Sequence, residues 1–275
     1  IAMRFGIPQL VIGLTIVAMG TSAPEAAVSI AAAVKGNADI TIGNIVGSNI
    51  LNILVILGLA ASIVPIAVAR STVRIEIPFM IGVTALLFYQ GRDGSISLAD
   101  GGVLMVAFAA YMMYLYTMAM KSNVDSDLEE PGLPLGRCLL GAVGGLALII
   151  AGSNVTVGAA TSIATYAGLS ERFIGLTIVA LGTSLPELFT SVAAARRGNA
   201  DIAIGNIVGS NIFNILFVVG LSSLIIDIPF ASAFNFDTYV ALGAAVLLLL
   251  CVLRTQRLQR WAGALMLVCY AVYLG

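Results

Sequence analysis

The chain has 275 residues, of which 60% are hydrophobic and only 10% charged, with a formal net charge of -1. A soluble domain carries about 25% charged residues, so this is the composition of an integral membrane protein. The near-neutral charge excludes a general basic surface for nucleic acid, and the absence of histidine excludes a histidine-bound zinc and a Ser-His-Asp triad.

A helix that crosses a bilayer takes about 20 mostly apolar residues. On that rule the chain predicts nine spans, near 7–33, 40–64, 75–90, 99–120, 136–164, 172–195, 201–226, 237–253 and 260–274. The opening residues lack the separate charged and apolar regions of a cleavable signal peptide. One real linker, residues 121–135, carries Asp125, Asp127, Glu129, Glu130, Pro131 and Pro134. It divides the chain into two transmembrane halves, 1–120 and 136–275. Cys138, Cys251 and Cys269 stand far apart in apolar stretches with no CxxC spacing, and read as packing residues.

Lysine and arginine set the orientation. With the first span starting on side A, that side collects Arg4, Arg70, Arg74, Lys121, Arg137, Arg196, Arg197, Arg254, Arg257 and Arg260. Side B collects Lys35, Arg92 and Arg172. Side A is therefore expected to face the cytoplasm, with the 121–135 linker on it, in a cell (inner) membrane.

Residues 12–59 recur as residues 174–221, aligned without a gap at an offset of 162 and with roughly three quarters of positions identical. The copies begin in the first and sixth spans. Five crossings separate them, so the second enters the membrane from the opposite face. The expected fold is an all-α polytopic membrane protein built on an inverted-topology repeat with discontinuous helices.

The first repeated motif is GTSAPE at 20–25 and GTSLPE at 182–187. Pro24 and Pro186 have no N–H to bond Gly20 and Gly182, so each breaks its helix in mid-membrane. Broken backbone there is tolerated only against protein or a polar cavity. Freed carbonyls, threonine hydroxyls and the carboxylates of Glu25 and Glu187 are hard oxygens, suited to Na⁺, Ca²⁺ or Mg²⁺. A simple proline kink would leave two intramembrane glutamates unexplained.

The second motif is GNIVGSNILNI at 43–53 and GNIVGSNIFNI at 205–215. Gly43 with Gly47, and Gly205 with Gly209, are small-xxx-small pairs for close helix approach. Asn44, Ser48 and Asn52 follow at intervals of four, as do Ser210 and Asn214 in the second copy, so each copy presents a polar stripe on an apolar helix. Asp39 and Asp201 open these helices and read as capping groups.

These motifs resemble the α-repeats of the cation/calcium exchanger superfamily, most closely its prokaryotic sodium/calcium exchanger-like members. The resemblance implies an antiporter, not an enzyme, that exchanges Ca²⁺ for Na⁺ by alternating access, with no organic cofactor. It implies ion ligands from Glu25, Glu187, Thr21, Thr183, Ser22, Ser184, Ser48, Asn52, Ser210 and Asn214, with backbone carbonyls from Ala18 and Ala180. GTSxPE, where the proton-coupled branch typically has a GNxxE-type motif, favours the sodium-type branch. Two departures stand out. Several sodium/calcium exchangers carry aspartate at the position of Asn214, so this site offers two formal negative charges rather than three. The family plan has ten spans, which implies a further helix before Ile1. Proton/calcium antiport through the same glutamates and a passive cation channel are the alternatives. The partners implied are transported cations and the lipid bilayer, with no nucleic acid, and one chain suffices for the site.

Overall fold

A computed structural model describes residues 7–36, 39–121, 135–166 and 180–274. Each of the nine predicted spans contains a described helix. The first is a broken pair, α1 (Gln9–Thr21) and α2 (Ala23–Val34), bent by 50°. The break falls at Ser22 (φ -82, ψ 5), which leaves Pro24 in the first turn of α2, where a missing N–H costs no helical bond. There follow α3 (Thr41–Ile63), α4 (Thr72–Asp93) and α5 (Leu98–Lys121). The second half gives α6 (Leu135–Tyr166), α7 (Ala180–Thr183) and α8 (Leu185–Arg196). It ends with α9 (Ala200–Ile225), α10 (Ala233–Leu253) and α11 (Arg260–Leu274). The α7–α8 break repeats the first one at Ser184 (φ -89, ψ 7).

The polar-striped helices α3 and α9 form the centre, buried along most of their length, while α5 lies mostly against the surroundings. Burial on all sides explains why α3 and α9 are apolar all round apart from the stripe. Both contain a π-helical turn at the same place, Asn52–Leu57 and Asn214–Val219. A π turn inserts one residue into the helical ladder and re-aims the side chains that follow it, which is why such turns gather at functional sites.

Four short strands, β1 (Ile66–Ala67), β2 (Ser95–Ile96), β3 (Ile228–Pro229) and β4 (Arg257–Leu258), were not expected from the sequence. The pairs are β1 with β4 and β2 with β3, each joining the two halves, in the registers Ile66 to Leu258 and Ile96 to Ile228. The repeat offset of 162 carries Ile66 to Ile228 and Ile96 to Leu258, so it relates one pair to the other. The inverted symmetry therefore runs beyond the 48-residue motif blocks, to a small ribbon on each face. The ribbons also bear out the crossing parity: the α3–α4 and α10–α11 connections share one face, and α4–α5 and α9–α10 the other. The arginines Arg70, Arg74, Arg196, Arg197, Arg254, Arg257 and Arg260 are all exposed, and Arg260 donates to the Ile63 carbonyl at 3.1 Å. Arg4, Arg172 and the linker acids Asp125, Asp127, Glu129 and Glu130 lie outside the described residues.

Asp201 is not the cap it was expected to be. Asn199 takes that position without a side-chain bond, and Asp201 sits in the first turn of α9, where its charge complements the helix N-terminus. The side chain of Asp39 lies outside the described residues. Cys251 is buried and Cys269 half-buried, both as free thiols.

The small-xxx-small reading holds for the second copy. A Cβ on Gly209 would stand 2.7 Å from the Leu14 carbonyl oxygen and 2.8 Å from the Ala18 Cβ, and one on Gly205 3.2 Å from Gly13. These contacts press α9 of one repeat onto α1 of the other. The obstacle at Gly209 is backbone, so Gly209→Ala must separate the helices, at a cost of about 1–3 kcal/mol. Thermal unfolding in detergent is expected to come at a lower temperature for Gly209→Ala than for the parent chain.

Candidate ion-binding site

The helix breaks place the two GTSxPE motifs face to face. Glu25 and Glu187 are each only 1% exposed. Ser22 donates to Glu187 Oε1 at 2.8 Å, and Ser184 donates to Glu25 Oε1 at 3.2 Å. Each carboxylate is thus held by the serine at the break in the other repeat. Thr183 also lies within reach of Glu25, and Thr21 and Ser210 within reach of Glu187. Thr21 donates to Asn206 Oδ1 at 3.0 Å and to the Ala18 carbonyl at 3.3 Å, and Ser210 donates to that carbonyl at 3.4 Å. Ala180 opens α7, and its side chain lies outside the described residues.

Asn44 and Asn206 have a different task from the rest of the stripe. Asn44 donates to Ser29 Oγ at 2.9 Å and to the Glu25 carbonyl at 3.3 Å. Asn206 repeats this with Ser191 at 2.9 Å and the Glu187 carbonyl at 3.4 Å. Both clamp the glutamate helix to its neighbour within a repeat, and fix the carboxylate from behind.

Between the repeats lies a ring of four amides. Asn49 and Asn211 each donate to the other's backbone carbonyl at 3.2 Å. Asn52 donates to Asn211 Oδ1 at 2.9 Å, and Asn214 donates to Asn49 Oδ1 at 3.1 Å. The sequence reading passed over Asn49 and Asn211, because they fall off the i, i+4 stripe. Their presence in both GSN tripeptides was the available signal. With each Nδ2 of Asn52 and Asn214 tied back, their Oδ1 atoms are left over.

Several buried side-chain oxygens among the described residues have no hydrogen-bond partner. In this region they are Glu25 Oε2, Glu187 Oε2, Asn52 Oδ1, Asn214 Oδ1 and Ser48 Oγ. All five belong to residues singled out from sequence. A buried unpaired acceptor costs about 1–3 kcal/mol, more when charged, so five together mark a place where a proton, water or cation would find partners. Oxygen donors carrying two formal charges fit a hard cation.

Inverted repeats of broken helices closing on a buried oxygen cluster define the architecture of membrane secondary transporters. The sequence matches the family described as sodium/calcium exchanger protein over residues 1–117 and 138–275, and the chain belongs to that family. It is 40% identical over 284 residues to the putative antiporter CaxA of Alkalimonas amylolytica, covering 99% of this chain and 89% of that protein. It is 39% identical to the inner membrane protein YrbG of Escherichia coli, over 98% of this chain and 86% of the relative. It is 32% identical to the sodium/calcium exchanger MaX1 of Methanosarcina acetivorans, over 100% and 90%. Among solved structures, the sodium-calcium exchanger NCX_Mj soaked with Na⁺ and Sr²⁺ superposes with a TM-score of 0.85 at 33% identity, covering 99% of this chain and 88% of that one.

Proposed function

We propose that the protein is a sodium/calcium antiporter that binds its ions between the two glutamate motifs. The observation that carries this is the set of five unpartnered buried oxygens, all on residues of the repeated motifs. The ligands are Glu25 and Glu187, with Thr21, Thr183, Ser22, Ser184, Ser48, Asn52, Ser210 and Asn214, and the carbonyls of Ala18 and Ala180. Membership of the exchanger family supports the reading, as does similarity to CaxA, a putative antiporter, and to MaX1, a sodium/calcium exchanger.

The mechanism follows from charge. One Ca²⁺ neutralises both carboxylates, and so do two monovalent cations. An empty site would carry two uncompensated charges through a dehydrated crossing, which is costly. Movement between faces is therefore permitted only when the site is filled, and the result is obligatory exchange. The repeat symmetry supplies the two states, since exchanging the roles of the repeats turns an outward opening into an inward one. One chain holds both halves of the site. The arginine-rich face, with the 121–135 linker, is assigned to the cytoplasm of the inner membrane.

The experiment is calcium uptake into proteoliposomes loaded with Na⁺, compared with K⁺-loaded vesicles under an imposed pH gradient. Uptake that requires internal Na⁺ is the expected result. Uptake driven only by the pH gradient would replace sodium with proton coupling. Equilibration without a counter-ion would indicate a channel.

A further inference from the structure

A second acidic group lies in the membrane outside the ion site. Glu76, in a π-helical turn one turn into α4, is 0% exposed. Tyr114 of α5 donates to its Oε1. Its Oε2 has no partner, nor do two other buried oxygens in the same cluster, Thr72 Oγ1 and Tyr111 OH. Thr72 is on the same helix four residues earlier, and Tyr111 is three residues before Tyr114 on α5 with its ring stacked on Phe79 at 5.2 Å. Thr72 is close enough to Glu76 for its hydroxyl to turn onto the carboxyl group, and Tyr111 is near enough to interact with it electrostatically.

We infer that Glu76 is a proton-binding site, separate from the transported-ion site, whose occupancy sets the seam between α4 and α5. A proton on Oε2 makes that oxygen a donor and gives it Thr72 Oγ1 or Tyr111 OH as an acceptor, so one hydrogen joins two otherwise unpaired atoms. An ionised carboxylate here would be held by hydroxyls alone, with no cation beside it. Arg70 and Arg74, the basic residues at this end of α4, are exposed. From α5 the groups facing Glu76 are Tyr111 and Tyr114. From α10, whose last turns also pack here, the one titratable side chain is Cys251, and it interacts with Cys269 instead. A buried carboxyl without a counter-charge is neutralised rather than left charged.

The other repeat supplies a contrast. Asp237 of α10 accepts from Tyr273 of α11 at 2.7 Å. Subtracting 162 places these two at Ile75 and Tyr111, so each repeat ties its third helix to its fourth by a carboxyl–tyrosine bond. Asp237 is partly exposed, whereas Glu76 is sealed. Protonation accordingly matters at Glu76. Its seam leads to the ion site through Phe108 of α5, whose ring lies 6.1 Å from Phe213 and 5.2 Å from Phe217, on either side of Asn214. Loss of the proton turns the surrounding hydroxyls onto the carboxylate and tightens α4 on α5.

The test is infrared difference spectroscopy of the full chain in liposomes, in a Glu25→Gln/Glu187→Gln background so that the transport carboxyls do not contribute. At neutral pH a protonated-acid carbonyl band equivalent to one group per chain is expected, shifted in Tyr114→Phe and absent when Glu76→Gln is added. Spectra that coincide with and without Glu76→Gln, or an unmoved band in Tyr114→Phe, would overturn the inference. So would a band removed by Na⁺ at constant pH, which would make the group a monovalent-cation site. In the parent chain, Glu76→Gln is expected to keep exchange but lose one pH-dependent step in its rate. An unchanged pH profile would overturn the link to transport. None of these readouts depends on which cation drives exchange.

Discussion

Calcium binding is expected to fall on the order of 100-fold or more in Glu25→Gln and in Glu187→Gln, with exchange lost in each. Removing one charge from a buried, compensated set costs about 3–5 kcal/mol, and each 1.4 kcal/mol is tenfold in affinity. Glutamine is the informative replacement because it keeps shape and the acceptor used by Ser184 or Ser22. The loss then reports charge and not collapse of the break. Folding provides the control. The two carboxylates are close enough to repel each other, so in cation-free buffer each variant is expected to unfold at the parent's temperature or above it. Near-normal exchange in either variant would remove that glutamate from the site. Loss of exchange together with a lower unfolding temperature would mean that the carboxylate is structural.

Asn49→Ala and Asn211→Ala are expected to weaken calcium binding about tenfold each, although neither residue is assigned to the ion. Asn49→Ala removes the acceptor for Asn214 Nδ2 and the donor to the Asn211 carbonyl. The buried groups left behind cost about 1–3 kcal/mol each, and the Asn214 amide is free to turn its oxygen from the site. By symmetry Asn211→Ala does the same to Asn52. Because Asn49 and Asn211 also bond each other, the double variant is expected to cost less than the sum. Strict additivity would show two independent halves, and unchanged binding in both single variants would leave the ring a purely structural contact between repeats.

Most of the architecture was legible because a membrane imposes simple rules. Apolar length marked the spans, and the odd number of crossings between two near-identical blocks required inversion. Pro24 and Pro186 marked the helix breaks to within two residues, since the structure puts the hinge at Ser22 and Ser184. Glu25 and Glu187 stood out because ionisable residues in mid-membrane are costly. Asn49, Asn211, Ser29 and Ser191 did not stand out, because an uncharged polar residue in a membrane helix has many uses. Glu76 was missed for another reason: with the third span drawn from residue 75, it lay at the edge, where a charge needs no explanation. The helix in fact begins at Thr72, and the Glu76 end is covered by α5 and α10.

By itself, the sequence determined the class of protein and the crossing parity, and it singled out the residues proposed as oxygen donors, because hydropathy, repeat offset and motif spacing are properties of the chain. Only the tertiary structure decided who holds whom. The serine at each break reaches the glutamate of the opposite repeat, Asn44 and Asn206 donate within their own while Asn206 also accepts from Thr21 of the other, and the amide ring ties the halves together. Partners 159 to 165 positions apart are chosen by the packing of α1 and α7 against α9 and α3. No local pattern specifies that packing. The same is true of the spare oxygens: every one comes from a residue visible in the sequence, but which lone pairs remain open depends on where each side chain's other hydrogen bonds have gone.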